Sequence, residues 1–206
     1  MSAKKITKGP NWQFEAGYSG PVAGIDEVGR GPLAGPVVAC AVILREDHIP
    51  AGLNDSKKLS EAHRESLYTE IMKCALVGIG IAEPADIDRL NIRGATFAAM
   101  RRALADLPAQ PIAALVDGNA DPGLGIQTQC IIKGDAKSLS IAAASIIAKV
   151  TRDRLMIAVC KRYPAYGLSG HKGYPTAAHR AAVIARGPCP NHRASFAPVK
   201  AALLRE

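Results

Sequence analysis

Two adjacent carboxylates, Asp26 and Glu27, stand at the end of an apolar run. Neighbouring carboxylates repel each other unless a proton or a cation lies between them. A Gly-Arg-Gly segment, residues 29–31, follows at once. It offers backbone N–H groups without side-chain obstruction and a planar cation that suits a phosphate. This stretch therefore predicts a metal site joined to a phosphate-binding loop.

Two further acids follow predicted buried strands, where the sites of α/β sheets gather. Asp117 comes directly after the apolar run 112–116, and Asp135 follows the predicted strand 126–132. Taken singly, Asp117-Gly118 also fits a simple turn, and Asp135 also fits an acid at a helix N-terminus. Together with Asp26 and Glu27 they predict an all-oxygen site for Mg²⁺ or Mn²⁺. The absence of a His/Cys cluster disfavours zinc.

The overall charge indicates a polyanionic partner. The 206-residue chain has a formal net charge of +8 and a sequence pI of about 9.4. Such a balance favours nucleic acid, although it also fits a role in solubility alone. A basic protein with an acidic metal cluster suits phosphodiester hydrolysis, in which two metal ions activate a water and stabilise the leaving oxygen.

Hydrophobic patterning predicts the elements that position these acids. Strands 22–28 and 36–44 are separated by a tight loop, which predicts an antiparallel hairpin. The further predicted elements are a helix from Ser60 to about Met72, a strand 75–82, a turn near 85–90, a helix 91–107, strands 112–116 and 126–132, a helix from Ser138 to about Tyr163, a helix 176–186 and a short helical tail. This order predicts an α/β fold, with a mixed central β-sheet flanked by helices.

Length and composition predict one domain. We expect a basic N-terminal tail over residues 1–20 and a single domain over 21–206, whose C-terminal helical part begins at about 164. The five cysteines are an odd number without Cys-x-x-Cys spacing, which favours reduced thiols in the cytoplasm. No apolar run is long enough for a membrane span, and the N-terminus does not fit a signal peptide.

Seven blocks of the sequence closely resemble ribonuclease HII, the type 2 ribonuclease H family. The blocks are 26–37, 54–59, 116–118, 133–135, 142–153, 171–176 and 193–198. They keep the family's order and span nearly all of the chain after residue 20. The resemblance implies a ribonuclease H-like fold and a monomeric endonuclease that hydrolyses the RNA strand of RNA/DNA hybrids with Mn²⁺ or Mg²⁺. It also implies nicking 5′ of ribonucleotides embedded in duplex DNA, which leaves 3′-hydroxyl and 5′-phosphate ends and serves ribonucleotide removal.

The resemblance also assigns roles to individual residues. The family's four catalytic acids correspond to Asp26, Glu27, Asp117 and Asp135, and the first three are the implied metal ligands. The implied substrate contacts are Gly29, Arg30 and Gly31 at the ribonucleotide backbone, Tyr174 against the sugar of the next deoxynucleotide, and Lys57 and Lys172 at phosphates. For Tyr174 the alternative is an aromatic residue of a surface turn, and for the two lysines it is a solvated loop residue.

Three other functions fit parts of the pattern. Ribonuclease HIII, the sister class, typically has a sizeable N-terminal domain and a threonine at the position of Arg30, and neither occurs in this sequence. A nucleic-acid-binding protein that has lost catalysis does not explain why all four acids are present. A metal-dependent phosphomonoesterase gives no reason for so basic a chain.

Overall fold

The computed structural model describes residues 9–204, so residues 1–8 of the expected basic tail and residues 205–206 lie outside the described part. The five strands are β1 (Val22–Val28), β2 (Val37–Ile43), β3 (Leu76–Ala82), β4 (Ala113–Asp117) and β5 (Gln127–Ile131). They form one sheet in the order β3-β2-β1-β4-β5. β1, β2 and β3 pair antiparallel, whereas β4 is parallel to both β1 and β5. The predicted mixed sheet and the hairpin are confirmed.

Residues 9–204 form six α-helices. They are α1 (Glu61–Cys74), α2 (Pro84–Ala105), α3 (Leu139–Arg162), α4 (Leu168–His171), α5 (Ala177–Arg186) and α6 (Ala197–Leu203). Within α2, Asn91 has a φ of 57°, which breaks the helix near the predicted junction between a short turn and a longer helix. Ser60, Ser138 and Thr176 cap α1, α3 and α5 through their hydroxyl oxygens. The short helix α4 is not predicted from the sequence.

Helices cover both faces of the sheet, which explains why the inner strand β2 is apolar throughout. All seven residues of β2 are buried. One face packs on α2, and the other packs on α1 and α3. A Cβ atom at Gly24 of β1 would lie 2.1 Å from the backbone carbon of Ser140, so α3 lies directly against β1. The small residues Ala142, Ala143 and Ala144 in the first turns of α3 permit this approach.

The described part of the N-terminal segment packs on the domain. Trp12 contacts the apolar cluster under α3, and Phe14 packs on the cluster around β4. The carboxylate of Glu15 is buried and accepts hydrogen bonds from Ser138 Oγ at 2.6 Å and from Ser140 N at 2.9 Å. Among residues 9–204, no helix has both the length and the apolar character needed to cross a membrane.

Candidate active site

The sheet register brings the acids to one edge. Ile25 of β1 pairs with Val116 of β4, so Asp26 and Asp117 follow at the same carboxyl end of two parallel strands. Asp135 lies in a short 3₁₀ turn, Gly134–Ala136, that begins shortly after β5. The backbone N–H of Gly134 donates a hydrogen bond to Asp117 Oδ1 at 2.6 Å, which ties this turn to the end of β4. Acids from three separate segments of the chain, Asp26 with Glu27, Asp117 and Asp135, therefore lie near one another at this edge.

Asp26 is the most buried of these acids, with 7% of its surface exposed. Burial, followed by the charges of Glu27 and Asp117, raises its pKa well above the ordinary value. Its Oδ1 accepts a hydrogen bond from the backbone N–H of Glu27 at 2.7 Å, which opposes this rise only in part. The site is thus short of positive charge at its centre.

Glu27 also lacks a positively charged or donating partner, and the lack is confined to one of its two carboxylate oxygens. Burial raises the pKa of Glu27, although the guanidinium of Arg30, 3.2 Å from Oε1, counteracts the rise. The other oxygen, Oε2, is buried and has no hydrogen-bond partner. A buried carboxylate oxygen without a partner is costly unless a cation or a donor reaches it.

These oxygens fit a hard divalent cation. Asp26, Glu27 and Asp117 supply carboxylate donors, which Mg²⁺ and Mn²⁺ prefer. Among residues 9–204, no three carboxylate, imidazole or thiol groups already converge on one point, so the acids are neighbours and not a closed coordination shell. The partnerless Oε2 and the raised pKa of Asp26 are what a bound cation would relieve.

Lys57 faces the acids from the loop before α1. Its partial burial lowers its pKa, but the carboxylates of Asp55, Asp135, Asp26 and Asp117 outweigh this effect and raise it. The pKa of Asp135 is raised by burial and then by Asp55 and Asp117, and Lys57 moderates that rise. Sequence reasoning did not single out Asp55 for the site, although it lies in the block 54–59.

The Gly-Arg-Gly segment lies beside Glu27, and its conformation requires glycine at its start. Gly29 has a φ of +94°, and a Cβ atom there would lie 2.2 Å from Arg152 Nε. Gly31 is exposed, and a Cβ atom there would lie 3.7 Å from Cε1 of Tyr174. The ring of Tyr174, which is 42% exposed, therefore borders this glycine.

Two fully buried arginines hold this loop from beneath. Arg152 of α3 donates to the carbonyls of Pro36, Ala34 and Lys172 at 2.9, 3.1 and 3.0 Å. Arg193 donates to the carbonyls of Gly35 and Arg30 at 3.0 and 2.9 Å and also bonds that of Gly29. Burial, followed by the charge of Arg152, lowers the pKa of Arg193 to about 9.

Sequence analysis selected neither Arg152 nor Arg193 for the site. The only sequence signal for Arg193 is its place in the block 193–198.

Lys172 is the candidate that lies apart from the acids. Its amino group donates to the carbonyl of Ser169, and its own carbonyl accepts from Arg152. The next residue, Gly173, accepts a hydrogen bond from Leu33 N at 2.8 Å, which ties this segment to the Gly-Arg-Gly loop. In this conformation Lys172 contributes through its backbone.

A cleft of about 390 Å³ borders the acids. Its walls include Glu27, Arg30 and Asp117 on one side and Arg93 and Phe97 of α2 on the other. The guanidinium of Arg93 lies 5.3 Å from the centroid of the Phe97 ring. Sequence analysis did not select either residue of α2 for the site.

The sequence comparisons with known proteins agree on one family. The sequence profile described as Ribonuclease HII matches residues 23–199. A ribonuclease HII of Maricaulis maris is 61% identical over 183 residues, which cover 88% of this chain and 84% of the relative.

Two solved structures show the same architecture. Ribonuclease H2 of Pyrococcus horikoshii has a TM-score of 0.75 at 27% identity, over 90% of this chain and 98% of that one. The ribonuclease HII of Archaeoglobus fulgidus, solved in a complex with PCNA, has a TM-score of 0.73 at 30% identity, over 85% of this chain and 95% of that one. These likenesses confirm the expected ribonuclease H-like fold.

Proposed function

The chain belongs to the ribonuclease HII family, and we propose that its cluster of four acids is the centre at which it cuts nucleic acid. As a member of this family the protein is an endoribonuclease that hydrolyses the RNA strand of RNA/DNA hybrids, and the HIII class is not favoured. The observation that carries the proposal is the meeting of Asp26, Glu27 and Asp117 at one sheet edge, with a buried oxygen of Glu27 unpartnered.

Ribonucleases H depend on divalent metal ions, and we propose Mn²⁺ or Mg²⁺ for this chain. Asp26, Glu27 and Asp117 would hold the metal, and Asp135 lies beside them near Lys57. When bound, such ions polarise the phosphodiester and activate a water. The residues contribute by orienting their oxygens, and Arg30 holds one oxygen of Glu27 in place.

The Gly-Arg-Gly segment and Tyr174 are the residues that we propose recognise the ribonucleotide. Backbone N–H groups of Gly29, Arg30 and Gly31 can approach a 2′-hydroxyl closely, because glycine leaves no Cβ atom in the way, and that hydroxyl distinguishes RNA from DNA. The exposed ring of Tyr174 lies beside Gly31, which supports its proposed stacking on the following deoxyribose. Lys57 and Lys172 are the proposed phosphate contacts, and the position of Lys57 beside the acids supports its part.

The proposed substrates are RNA/DNA hybrids and duplex DNA with embedded ribonucleotides, cut 5′ of the ribonucleotide to leave 3′-hydroxyl and 5′-phosphate ends. We propose that the protein acts as a monomer in the cytoplasm and that it removes ribonucleotides from DNA. The five cysteines, all within residues 9–204, are free, which supports a reducing compartment.

A nicking assay tests this function. Duplex DNA with one ribonucleotide should be nicked on its 5′ side when Mg²⁺ or Mn²⁺ is supplied, and mapped ends should show 3′-hydroxyl and 5′-phosphate groups. Asp117→Asn should remove cutting and leave binding largely intact, because it removes one carboxylate charge from the cluster without changing the loop. A wild-type chain that binds this duplex and never cuts it under either metal would leave only a binding function.

A further inference from the structure

Three buried or half-buried imidazoles lie beneath Tyr174, away from the acid cluster. The Nε2 atoms of His179 and His192 lie 3.0 Å apart, and both residues are buried. The ring of His171 stacks on that of His179 with centroids 4.5 Å apart. The proposed cutting chemistry uses none of these rings, so their burial and bonding require a separate explanation.

His179 and His192 form a row of hydrogen bonds between the backbone of Cys189 and that of Tyr174. The groups at its two ends determine which ring nitrogens carry a hydrogen. The carbonyl oxygen of Tyr174 can only accept, so His179 Nδ1, 2.9 Å away, carries a hydrogen and donates it. The backbone N–H of Cys189 donates to His192 Nδ1 over 3.0 Å, so that nitrogen carries no hydrogen. The Cys189 carbonyl, 3.2 Å from the same nitrogen, already accepts the backbone N–H of His192 at 2.9 Å.

The gap between the two rings then needs one proton, and a neutral His192 supplies it from Nε2. Burial, followed by the nearby ring of His179, lowers the pKa of His192 to about 4. Burial also lowers the pKa of His179. At neutral pH each group therefore donates to the next: the Cys189 N–H to His192, His192 to His179, and His179 to the carbonyl of Tyr174.

The backbone that precedes the Tyr174 ring is held from several sides. His171 Nδ1 accepts the N–H of Gly173 at 3.2 Å, and His171 Nε2 donates to the carbonyl of Tyr166 at 2.9 Å. The carbonyl of Gly173 in turn accepts Leu33 N at 2.8 Å, in the segment that follows the Gly-Arg-Gly loop. The histidines thus hold this backbone on the side opposite to the loop.

We propose that His179, supported by His192, is a positioning residue that sets the ring of Tyr174 against Gly31. This inference rests on the proposed function, in which Tyr174 stacks on the sugar after the ribonucleotide. His179 touches no substrate, and its bond to the backbone of Tyr174 is the one to the carbonyl oxygen. Loss of this donor leaves the carbonyl with only the backbone N–H of Thr176, 2.8 Å away, and so loosens the backbone from which the ring projects.

A double-mutant cycle tests whether His179 acts through Tyr174. His179→Leu, Tyr174→Ala and the double variant are compared on duplex DNA that holds one ribonucleotide, with KM and kcat measured separately in Mn²⁺. We expect His179→Leu to raise KM about tenfold in the wild-type background and to have little further effect beside Tyr174→Ala. Equal effects in both backgrounds, or no effect in either, would overturn the inference.

Two variants separate positioning from general damage to the fold. His179→Asn keeps an N–H donor near the position of Nδ1, so its KM should return most of the way from the raised value of His179→Leu to the wild-type value. His48→Leu, which removes an exposed imidazole, should leave KM unchanged. A His179→Asn variant as poor as His179→Leu in KM, at equal thermal stability, would contradict the role of the donor.

The tautomers of His179 and His192 can be measured independently of nuclease activity. Nitrogen-15 spectra of the imidazoles in the wild-type protein should show His179 protonated at Nδ1 and His192 at Nε2. Both rings protonated at Nε2 would overturn the inference even if no variant folds. A wild-type protein that does not nick the ribonucleotide duplex would refute the proposed function and this inference with it, whereas normal nicking with unaffected His179 variants would refute this inference alone.

Discussion

At the scale of single residues, the buried carboxylate of Asp26 is unfavourable for folding, although the proposed metal site needs it. Its carboxylate is buried at the end of β1 beside Glu27 and Asp117, and its pKa is raised well above the ordinary value. Ionising this group without a cation costs free energy, and a protein with a bound cation recovers it. The same burial holds the carboxylate in a fixed place, which the proposed metal site requires.

Asp26→Asn should therefore stabilise the metal-free protein while it removes cutting. We expect a gain of about 0.5–2 kcal/mol in the free energy of unfolding at pH 8, measured by chemical denaturation in a chelator. The folded-state pKa of Asp26 is raised, so its favourable contribution is present below the unfolded value of about 4 and is lost as pH rises through the folded value. The advantage of the Asn variant should accordingly shrink at low pH.

An exposed carboxylate provides the control for this comparison. Asp47 is exposed, and its pKa is lowered by a hydrogen bond from Arg45. Asp47→Asn should give no gain at pH 8. If Asp26→Asn were no more stable than wild type in the chelator, the burial of an ionised Asp26 would not be costly.

At the scale of elements, the loop that bears Gly-Arg-Gly depends on side chains from distant parts of the chain. Arg152 reaches it from α3, and Arg193 reaches it from the segment before α6. Both guanidiniums bond backbone carbonyls, and burial lowers the pKa of both. An irregular loop cannot pair its carbonyls with each other, so buried donors from outside are needed to hold it.

Arg193→Met should loosen this loop. The change leaves carbonyls of Gly29, Arg30 and Gly35 without their donor, and we expect a loss of about 3 kcal/mol in the free energy of unfolding. Amide hydrogen exchange should be faster over residues 29–36, and the preference for ribonucleotide over plain DNA should fall. Denaturation, exchange and cutting assays measure these three effects.

Arg154→Met supplies the matched control on α3. Arg154 forms an exposed ion pair with Glu65, which is worth about 0–1 kcal/mol. Its loss should leave exchange over residues 29–36 unchanged. Equal losses of stability in the two variants would show that the buried arginine does not support the loop.

At the scale of the whole molecule, the chain has a net charge of +8, whereas the candidate site is rich in negatively charged carboxylates. The acids attract cations, and the basic surroundings attract the phosphates that must approach those acids. Lys57 illustrates the arrangement, since it is the lysine whose pKa is raised by Asp55, Asp135, Asp26 and Asp117. We therefore expect substrate affinity to depend strongly on salt.

Binding to the ribonucleotide duplex should weaken linearly in log–log form, with a slope of about −0.9 per phosphate neutralised in B-form DNA. Lys57→Met should make this slope shallower by about one unit if Lys57 contacts a phosphate. Fluorescence anisotropy at several salt concentrations in Ca²⁺ measures both values. Lys58→Met, the neighbouring exposed lysine, is the control, and the same change of slope in both variants would argue against a specific contact by Lys57.

Local patterns predicted most of the secondary structure. The apolar runs, with Ser60 and Ser138 as helix starts, placed the five strands and the main helices to within a few residues. The resemblance supplied the family and the candidate residues, including Tyr174. The helix α4 was not predicted, because a helix of four residues after a 3₁₀ turn is too short to show a periodic hydrophobic pattern.

By itself, the sequence determined which residue types are available for the chemistry and which elements bear them, because hydrophobic period and capping are local properties of the chain. Only the tertiary structure decided which of them meet. The parallel register of β1 and β4 set Asp26 beside Asp117, and folding over more than a hundred residues brought Arg193 beneath the Gly-Arg-Gly loop. Such contacts depend on strand pairing and on burial, which combine distant segments and leave no local pattern to read.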